Sequence, residues 1–78
     1  MQFVYLLRCA DGTIYVGCTA NISERMKRHG NKEVGWTKDR LPVTLVTYVA
    51  FHDKYKAFEF ERYLKSGSGR AFVNKRFV

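Results

Sequence analysis

Apolar residues fall into three short runs and two longer stretches of helical spacing, and their order along the chain predicts the fold. Phe3-Val4-Tyr5-Leu6-Leu7, Ile14-Tyr15-Val16-Gly17 and Val43-Thr44-Leu45-Val46-Thr47-Tyr48-Val49 have the β-branched and aromatic content of strands. They place strands over residues 3–8, 13–17 and 43–49. Cys9-Ala10-Asp11-Gly12 separates the first two, and an Asp-Gly pair between hydrophobic runs signals a hairpin. Side chains alternate faces with period two, so the loop length decides which residues share a face. A two-residue Asp11-Gly12 turn pairs Arg8 with Tyr15 and puts Tyr5 and Tyr15 on opposite faces. A three-residue loop, Ala10-Asp11-Gly12 with Gly12 left-handed, pairs Leu7 with Tyr15 and Tyr5 with Gly17. The two tyrosines then share a face as diagonal neighbours about 7–8 Å apart, and this is the expected loop.

Asn21 followed by Glu24 resembles a capping box, so a helix is expected to start at Ile22. Ile22 and Met26 fall on one stripe of it, with Arg25 and His29 on the stripe's edge, and Gly30 and Asn31 end it. Residues 31–42 read as a polar connection closed by Pro42. Asp53 can cap a second helix running to about Ser66, with Gly67 as its stop, and residues 69–76 suit a short final helix. On the second helix Phe60, Leu64, Ala57, Glu61, Lys65 and Phe58 form one arc. The order ββαβα(α) predicts one α+β domain over residues 1–78, a three-stranded antiparallel sheet flanked by helices.

Composition narrows the function. Fourteen Lys and Arg against seven Asp and Glu give a net charge of +7, which points to a polyanionic partner. The charge is uneven: Arg62, Lys65, Arg70, Lys75 and Arg76 follow one another with no acid between, and Arg25, Lys27 and Arg28 form a second cluster. Nucleic acid is the expected partner, with a merely solubilising surface as the alternative. Two cysteines do not make a disulfide scaffold. No apolar run is long enough to span a membrane, no signal peptide is evident, and the cytoplasm is the expected location.

Four polar residues stand out. Tyr5, Tyr15 and Arg25 are spaced ten positions apart, and Glu61 interrupts an otherwise apolar arc. A carboxylate there costs free energy unless it is paired, with Lys65 or Arg25, or holds a cation. A single carboxylate suits Mg²⁺, which keeps most of its waters and shares substrate phosphate oxygens. Tyrosine hydroxyls can orient or deprotonate water if their ordinary pKa of about 10 is lowered. An arginine fork suits the charge that develops on a phosphate under attack. Taken singly, each residue also has a structural explanation; together they make a hydrolytic set for phosphodiesters. Cys9, Cys18, His29 and His52 lack zinc spacing. Trp36, Lys38 and Arg40 either grip nucleic acid or anchor their loop. Residues 66–69 could offer amides to a phosphate, but a helix C-cap explains them more simply.

These residues together resemble the GIY-YIG endonuclease domain, from Phe3 to Arg76. Val4-Tyr5 stands where that family has its first signature tripeptide, and Tyr15-Val16-Gly17 is similar to the second. Arg25 fits the family's helical arginine, and His29 a position where members carry histidine or tyrosine. Ala57-Phe58-Glu59-Phe60-Glu61-Arg62-Tyr63-Leu64-Lys65 resembles the Ala-x-x-x-Glu-x-x-Ile/Leu-Lys helix, which makes Glu61 rather than Glu59 the implied metal ligand. Asn74 fits a late asparagine that helps hold the site together. The segment from Leu64 to Phe72 resembles the small stand-alone bacterial members. Phe3 replaces the first tripeptide's glycine, and Cys18 stands where some members have lysine, so that cation either comes from Lys27 or Arg28 or is absent.

The resemblance implies metal-dependent DNA cleavage by direct attack of water, with one Mg²⁺ or Mn²⁺ and a tyrosine as general base. Relatives include the incision subunit of bacterial excision repair, homing endonucleases, restriction enzymes and a junction-cutting nuclease, so a role in DNA repair or processing is expected. The implied roles are water activation by Tyr5 and Tyr15, phosphate contact by Arg25, and proton transfer or phosphate binding by His29. Glu61 would ligate metal and Asn74 would brace the site. Lys27, Arg28, Lys65, Arg70, Lys75 and Arg76 are the expected DNA-backbone contacts, giving salt-sensitive binding with little base readout. No separate DNA-reading motif accompanies the core, so specificity is expected to come from DNA structure, such as branched or flapped forms, from a protein partner, or not to exist. The rival functions are a nucleic-acid-binding module without turnover and a subunit that cuts only within a repair complex.

Overall fold

Strands β1 (Gln2–Arg8) and β2 (Ile14–Thr19) pair antiparallel with Tyr5 opposite Gly17 and Leu7 opposite Tyr15, the register of the three-residue loop. The loop chemistry explains it. Cys9 N donates to Thr13 O and Gly12 N donates to Cys9 O, each at 2.9 Å. Gly12 sits at φ 85°, open to glycine and strained for other residues. Asp11 Oδ1 accepts from both the backbone N and the hydroxyl of Thr13, which stiffens the turn. A computed structural model describes this arrangement over the whole chain, residues 1–78.

Helix α1 (Ile22–Gly30) begins where expected, with Asn21 Oδ1 accepting from Glu24 N at 3.0 Å. The reciprocal half of the capping box is absent, because Asn21 N donates to the Thr19 hydroxyl instead. Strand β3 (Thr44–Phe51) runs two residues beyond the expected end and pairs with the other side of β1, giving the order β2-β1-β3. Helices α2 (Lys54–Leu64) and α3 (Gly67–Arg76) complete an α+β architecture. Asp53 caps α2 by accepting from Tyr55 N at 2.8 Å.

Two expectations for the C-terminal third change. Helix α2 ends before Ser66, and Gly67 starts α3 rather than stopping α2. Ser66 does both jobs: its hydroxyl donates to Tyr63 O at 2.6 Å and accepts from Gly69 N at 3.1 Å. The amide of Gly69 is therefore engaged, and the 66–69 segment is an N-cap rather than a C-cap. Gly69 is required by proximity, since a Cβ there would lie 2.5 Å from Leu64 Cα and closer still to Tyr63 O. The apolar arc of α2 is also narrower than expected. Ala57 and Leu64 are buried, whereas Phe58 and Lys65 are exposed.

The two sheet faces carry different chemistry. Val4, Leu6 and Val16 on one face pack with Ala57 and Leu64 of α2 and Val73 of α3. A fully buried Leu or Val contributes about 1.5–3 kcal/mol, so this small cluster carries much of the stability of a short chain. The other face presents Tyr5, Leu7 and Tyr15, and α1 reaches it through long polar side chains. Strand β2 is an edge strand, so both faces meet along its open side.

Candidate active site

The site is built at that open edge of β2. Tyr5 projects from β1 across its partner Gly17 toward the edge. A Cβ on residue 17 would lie 2.7 Å from Tyr5 Cε1 and closer still to Cζ and Oη, so only glycine leaves room for the ring. The Tyr5 and Tyr15 rings share a face with centroids 6.2 Å apart. His29 stands edge-on to both, 5.8 Å from Tyr5 and 5.3 Å from Tyr15. Arg25, one turn earlier in α1, donates through Nη1 to Tyr5 Oη at 3.4 Å and to Cys18 O at 3.3 Å. Pairing parity turns the Cys18 carbonyl outward from β2, so Arg25 is tied to the edge itself.

Behind this edge lies a buried polar chain. Tyr5, His29 and Thr37 are all fully buried. His29 Nε2 is 3.0 Å from Tyr5 Oη, and His29 Nδ1 is 2.7 Å from Thr37 Oγ1. Burial pushes the Tyr5 phenol up from 10.0 to about 12; the Arg25 hydrogen bond opposes this, and the charges of Tyr15 and Glu61 add to it. Burial, then the charges of Arg25 and Arg28, hold His29 below the usual histidine range, so its ring is neutral at neutral pH. With both nitrogens engaged and no exposed surface, His29 does not contact phosphate in this arrangement. The sequence pattern had put it only at a stripe's edge.

A cavity of about 620 Å³ runs along β2, walled by Tyr15 and Trp36 on one side and by Lys65, Arg70 and Asn74 on the other. Glu61 does not line it; its Oε2 is paired at 3.1 Å with Nζ of Lys65, which does. Of the expected site residues, Tyr15, Lys65, Arg70 and Asn74 line the cavity. Tyr5, Arg25 and His29 form the network behind Tyr15. Lys27, Arg28, Lys75 and Arg76 are exposed but lie off the wall. Asn74 makes no side-chain hydrogen bond, so the expected bracing is not made through one here.

The connection between α1 and β3 contributes more than its composition suggested. Trp36 packs on Tyr15 with ring centroids 5.3 Å apart, and the Arg40 guanidinium lies 4.1 Å over the indole. Arg40 also pairs with Asp11 at 3.3 Å, and its carbonyl accepts from Ala10 N at 2.9 Å. Arg40 is thus an anchor between loop and hairpin, and Trp36 both anchors and lines the cavity. Hydrogen bonds from Thr13, and then the charge of Arg40, hold Asp11 below the usual carboxylate range. Thr37 was the functional candidate missed from the sequence, because a threonine in a polar connection carries no periodic signal.

The family model described as the GIY-YIG catalytic domain matches residues 1–76. The chain belongs to the GIY-YIG family. It is similar to a UPF0213 protein of Clostridium perfringens, 39% identical over 66 residues that cover 83% of this chain and 71% of that protein. A UPF0213 protein of Streptococcus agalactiae is 36% identical over 70 residues, covering 88% of this chain and 80% of the relative. The solution NMR structure of the UPF0213 protein of Bacillus halodurans matches with a TM-score of 0.61 and 32% identity, covering 96% of this chain and 84% of that one. The fold and the nuclease superfamily follow from these matches; the relatives' names state no activity.

In this GIY-YIG domain the donor set decides what metal fits. No three His, Cys, Asp or Glu side chains come together, so there is no all-protein cage. Glu61, half-buried and paired with Lys65 of the cavity wall, is one hard oxygen ligand. That fits Mg²⁺ or Mn²⁺ held largely by solvent and substrate oxygens, and does not fit a structural zinc site. No helix is long and apolar enough to cross a membrane.

Proposed function

We propose that this domain is a divalent-metal-dependent DNA endonuclease that hydrolyses phosphodiester bonds at the open edge of β2. The observation that carries the reading is Tyr5 laid over Gly17, its hydroxyl bonded to Arg25 and His29, with Tyr15 turned into the cavity beside it. Four groups able to hydrogen-bond, from β1, β2 and α1, meet there. Glu61 would hold Mg²⁺ or Mn²⁺, which when bound supplies charge stabilisation to the phosphate and its leaving oxygen.

The chain's own residues divide the remaining work. Arg25 keeps Nη1 on Tyr5 and Cys18 and has its other donors free for a phosphate oxygen. Tyr15 is the phenol on the cavity wall and is the one placed to orient and deprotonate water. Tyr5, buried and pushed up to about 12, keeps its proton and positions Arg25 and His29. Lys65 and Arg70 hold the strand in the cavity, and Arg70 makes no ion pair or side-chain hydrogen bond that would occupy it. Lys27, Arg28, Lys75 and Arg76 extend the contact along the backbone, so binding weakens with salt. Specificity then rests on DNA structure or on a protein partner, in a repair or processing role.

The Glu61–Lys65 ion pair favours a second reading, a DNA-binding module without turnover. A panel of flap, branched, nicked, single-stranded and duplex DNAs with Mg²⁺ or Mn²⁺ separates the two. The endonuclease cuts at least one form, and Glu61→Gln binds that DNA without cutting it. If wild type and variant bind alike and neither cuts any form, the module reading replaces the enzyme.

A further inference from the structure

Thr37 sits in the connection between α1 and β3 and touches neither the cavity nor the phosphate contacts, yet it is fully buried against His29. We propose that Thr37 is a positioning residue: by fixing the tautomer of His29 it sets the direction of the Tyr5 hydroxyl and so aims the Arg25 guanidinium. The role in cleavage rests on the endonuclease reading; the tautomer does not.

Counting hydrogens along the chain gives one direction only. Thr37 Oγ1 carries a single hydrogen and lies 3.3 Å from Val34 O, which can only accept. Val34 O already accepts from Thr37 N at 3.2 Å and Lys38 N at 3.0 Å, so the order is set from the other end. The fully buried Tyr5 hydroxyl meets only Arg25, which can only donate, and His29 Nε2. Its hydrogen therefore goes to Nε2, and Thr37 Oγ1 meets His29 Nδ1 at 2.7 Å as an acceptor. The imidazole proton is on Nδ1. Nε2 of the neutral ring is then bare and accepts the Tyr5 O–H at 3.0 Å. With its only hydrogen committed, Tyr5 Oη presents a lone pair to Arg25 Nη1 at 3.4 Å, and an arginine can only donate. Donors and acceptors alternate from Arg25 to Thr37, and no buried side-chain polar atom is left unpartnered.

The opposite tautomer breaks this order at the Tyr5 end. An Nε2–H would donate to Tyr5 Oη beside Arg25 Nη1 and leave the buried phenol hydrogen without an acceptor. A bare Nδ1 would take the Thr37 hydrogen from Val34 O. The position of Thr37 is itself fixed by the turn, in which its N donates to Val34 O at 3.2 Å and its O accepts from Arg40 N at 2.9 Å. A hydroxyl eight residues beyond His29 thereby acts on an arginine it does not touch.

The test is ¹⁵N NMR of the His29 ring together with single-turnover cleavage. In the wild type Nδ1 must resonate as the protonated nitrogen and Nε2 as the bare one. The reverse assignment overturns the proposal whether or not any variant folds. Thr37→Val, which keeps the shape and removes the hydroxyl, is expected to lose the Nδ1–H signature and to slow cleavage by about 10–100-fold at saturating enzyme, the usual effect of removing an outer partner of a site residue. Thr37→Ser should recover the signature and most of the rate. A Thr37→Val protein with unchanged tautomer and rate overturns the proposal. A wild type with the expected tautomer that cuts no DNA overturns the endonuclease reading and the aiming role with it.

Discussion

Replacing Gly17 with alanine tests the geometry on which the site depends. The added Cβ would lie 2.7 Å from Tyr5 Cε1 and closer still to Cζ and Oη, and nonbonded carbons settle at about 3.5–4.0 Å, so the ring must withdraw by more than about 0.8–1.3 Å. It has little freedom to do so. Tyr5 is fully buried, its hydroxyl is held by His29 at 3.0 Å, and Tyr15 and His29 flank the ring. Overpacking of this kind costs about 1–3 kcal/mol, and a loss of ~2 kcal/mol lowers Tm by about 8–16 °C in a domain this size. A displacement near 1 Å at a reacting centre costs about 10²-fold in rate. Thermal melts and single-turnover cleavage read the two effects. A double-mutant cycle with Tyr5→Leu, which removes the ring the methyl strikes, should show coupling of about 0.5–3 kcal/mol. Gly17→Ala protein that melts with the wild type and cuts at its rate would refute the reasoning.

Other consequences are equally specific. Gly69→Ala should be more damaging to stability than Gly17→Ala, by the same melts, because the new Cβ meets the backbone of Tyr63 and Leu64 rather than a side chain. Lys65→Ala removes an exposed i,i+4 pair worth about 0.3–0.5 kcal/mol, so Tm scarcely moves. It should nevertheless tighten Mn²⁺ binding at the freed Glu61, and reduce the slope of log K against log salt for DNA by about 1. Tyr5 gives a pH signature. Its folded value of about 12 lies above 10.0, so between these values the native chain keeps a proton that the unfolded chain has released. This contribution to stability is whole below pH 10 and falls as pH rises toward 12, and urea melts of Tyr5→Phe should lack that fall.

What could be read from the sequence was what local rules decide. Asp11-Gly12 between two strand-like runs dictated the hairpin, and a three-residue loop then placed both tyrosines on one face. Asn21 and Asp53 marked helix starts because their side chains cap the first turn. Ser66 misled because a serine before Gly67 reads as a helix ending, while its hydroxyl here serves α2 and α3 together. His29 misled because helix periodicity weighs its polarity and not the Tyr5 and Thr37 partners that make burial tolerable. The cavity was invisible for the same reason. Its walls come from a hairpin, a connection and a helix junction whose approach is set by Gly17, Gly69 and the Asp11–Arg40–Trp36 anchor.

The most direct test of the central claim is a cleavage cycle over Arg25→Ala, Glu61→Gln and the double variant, at saturating enzyme with Mg²⁺. Groups that act on one phosphate as a unit lose their effect together, so each single change should cost about 10²-fold or more and the double change no more than the worse single one. Losses that multiply, or a wild type that leaves every DNA form intact, would contradict a shared site at the edge of β2.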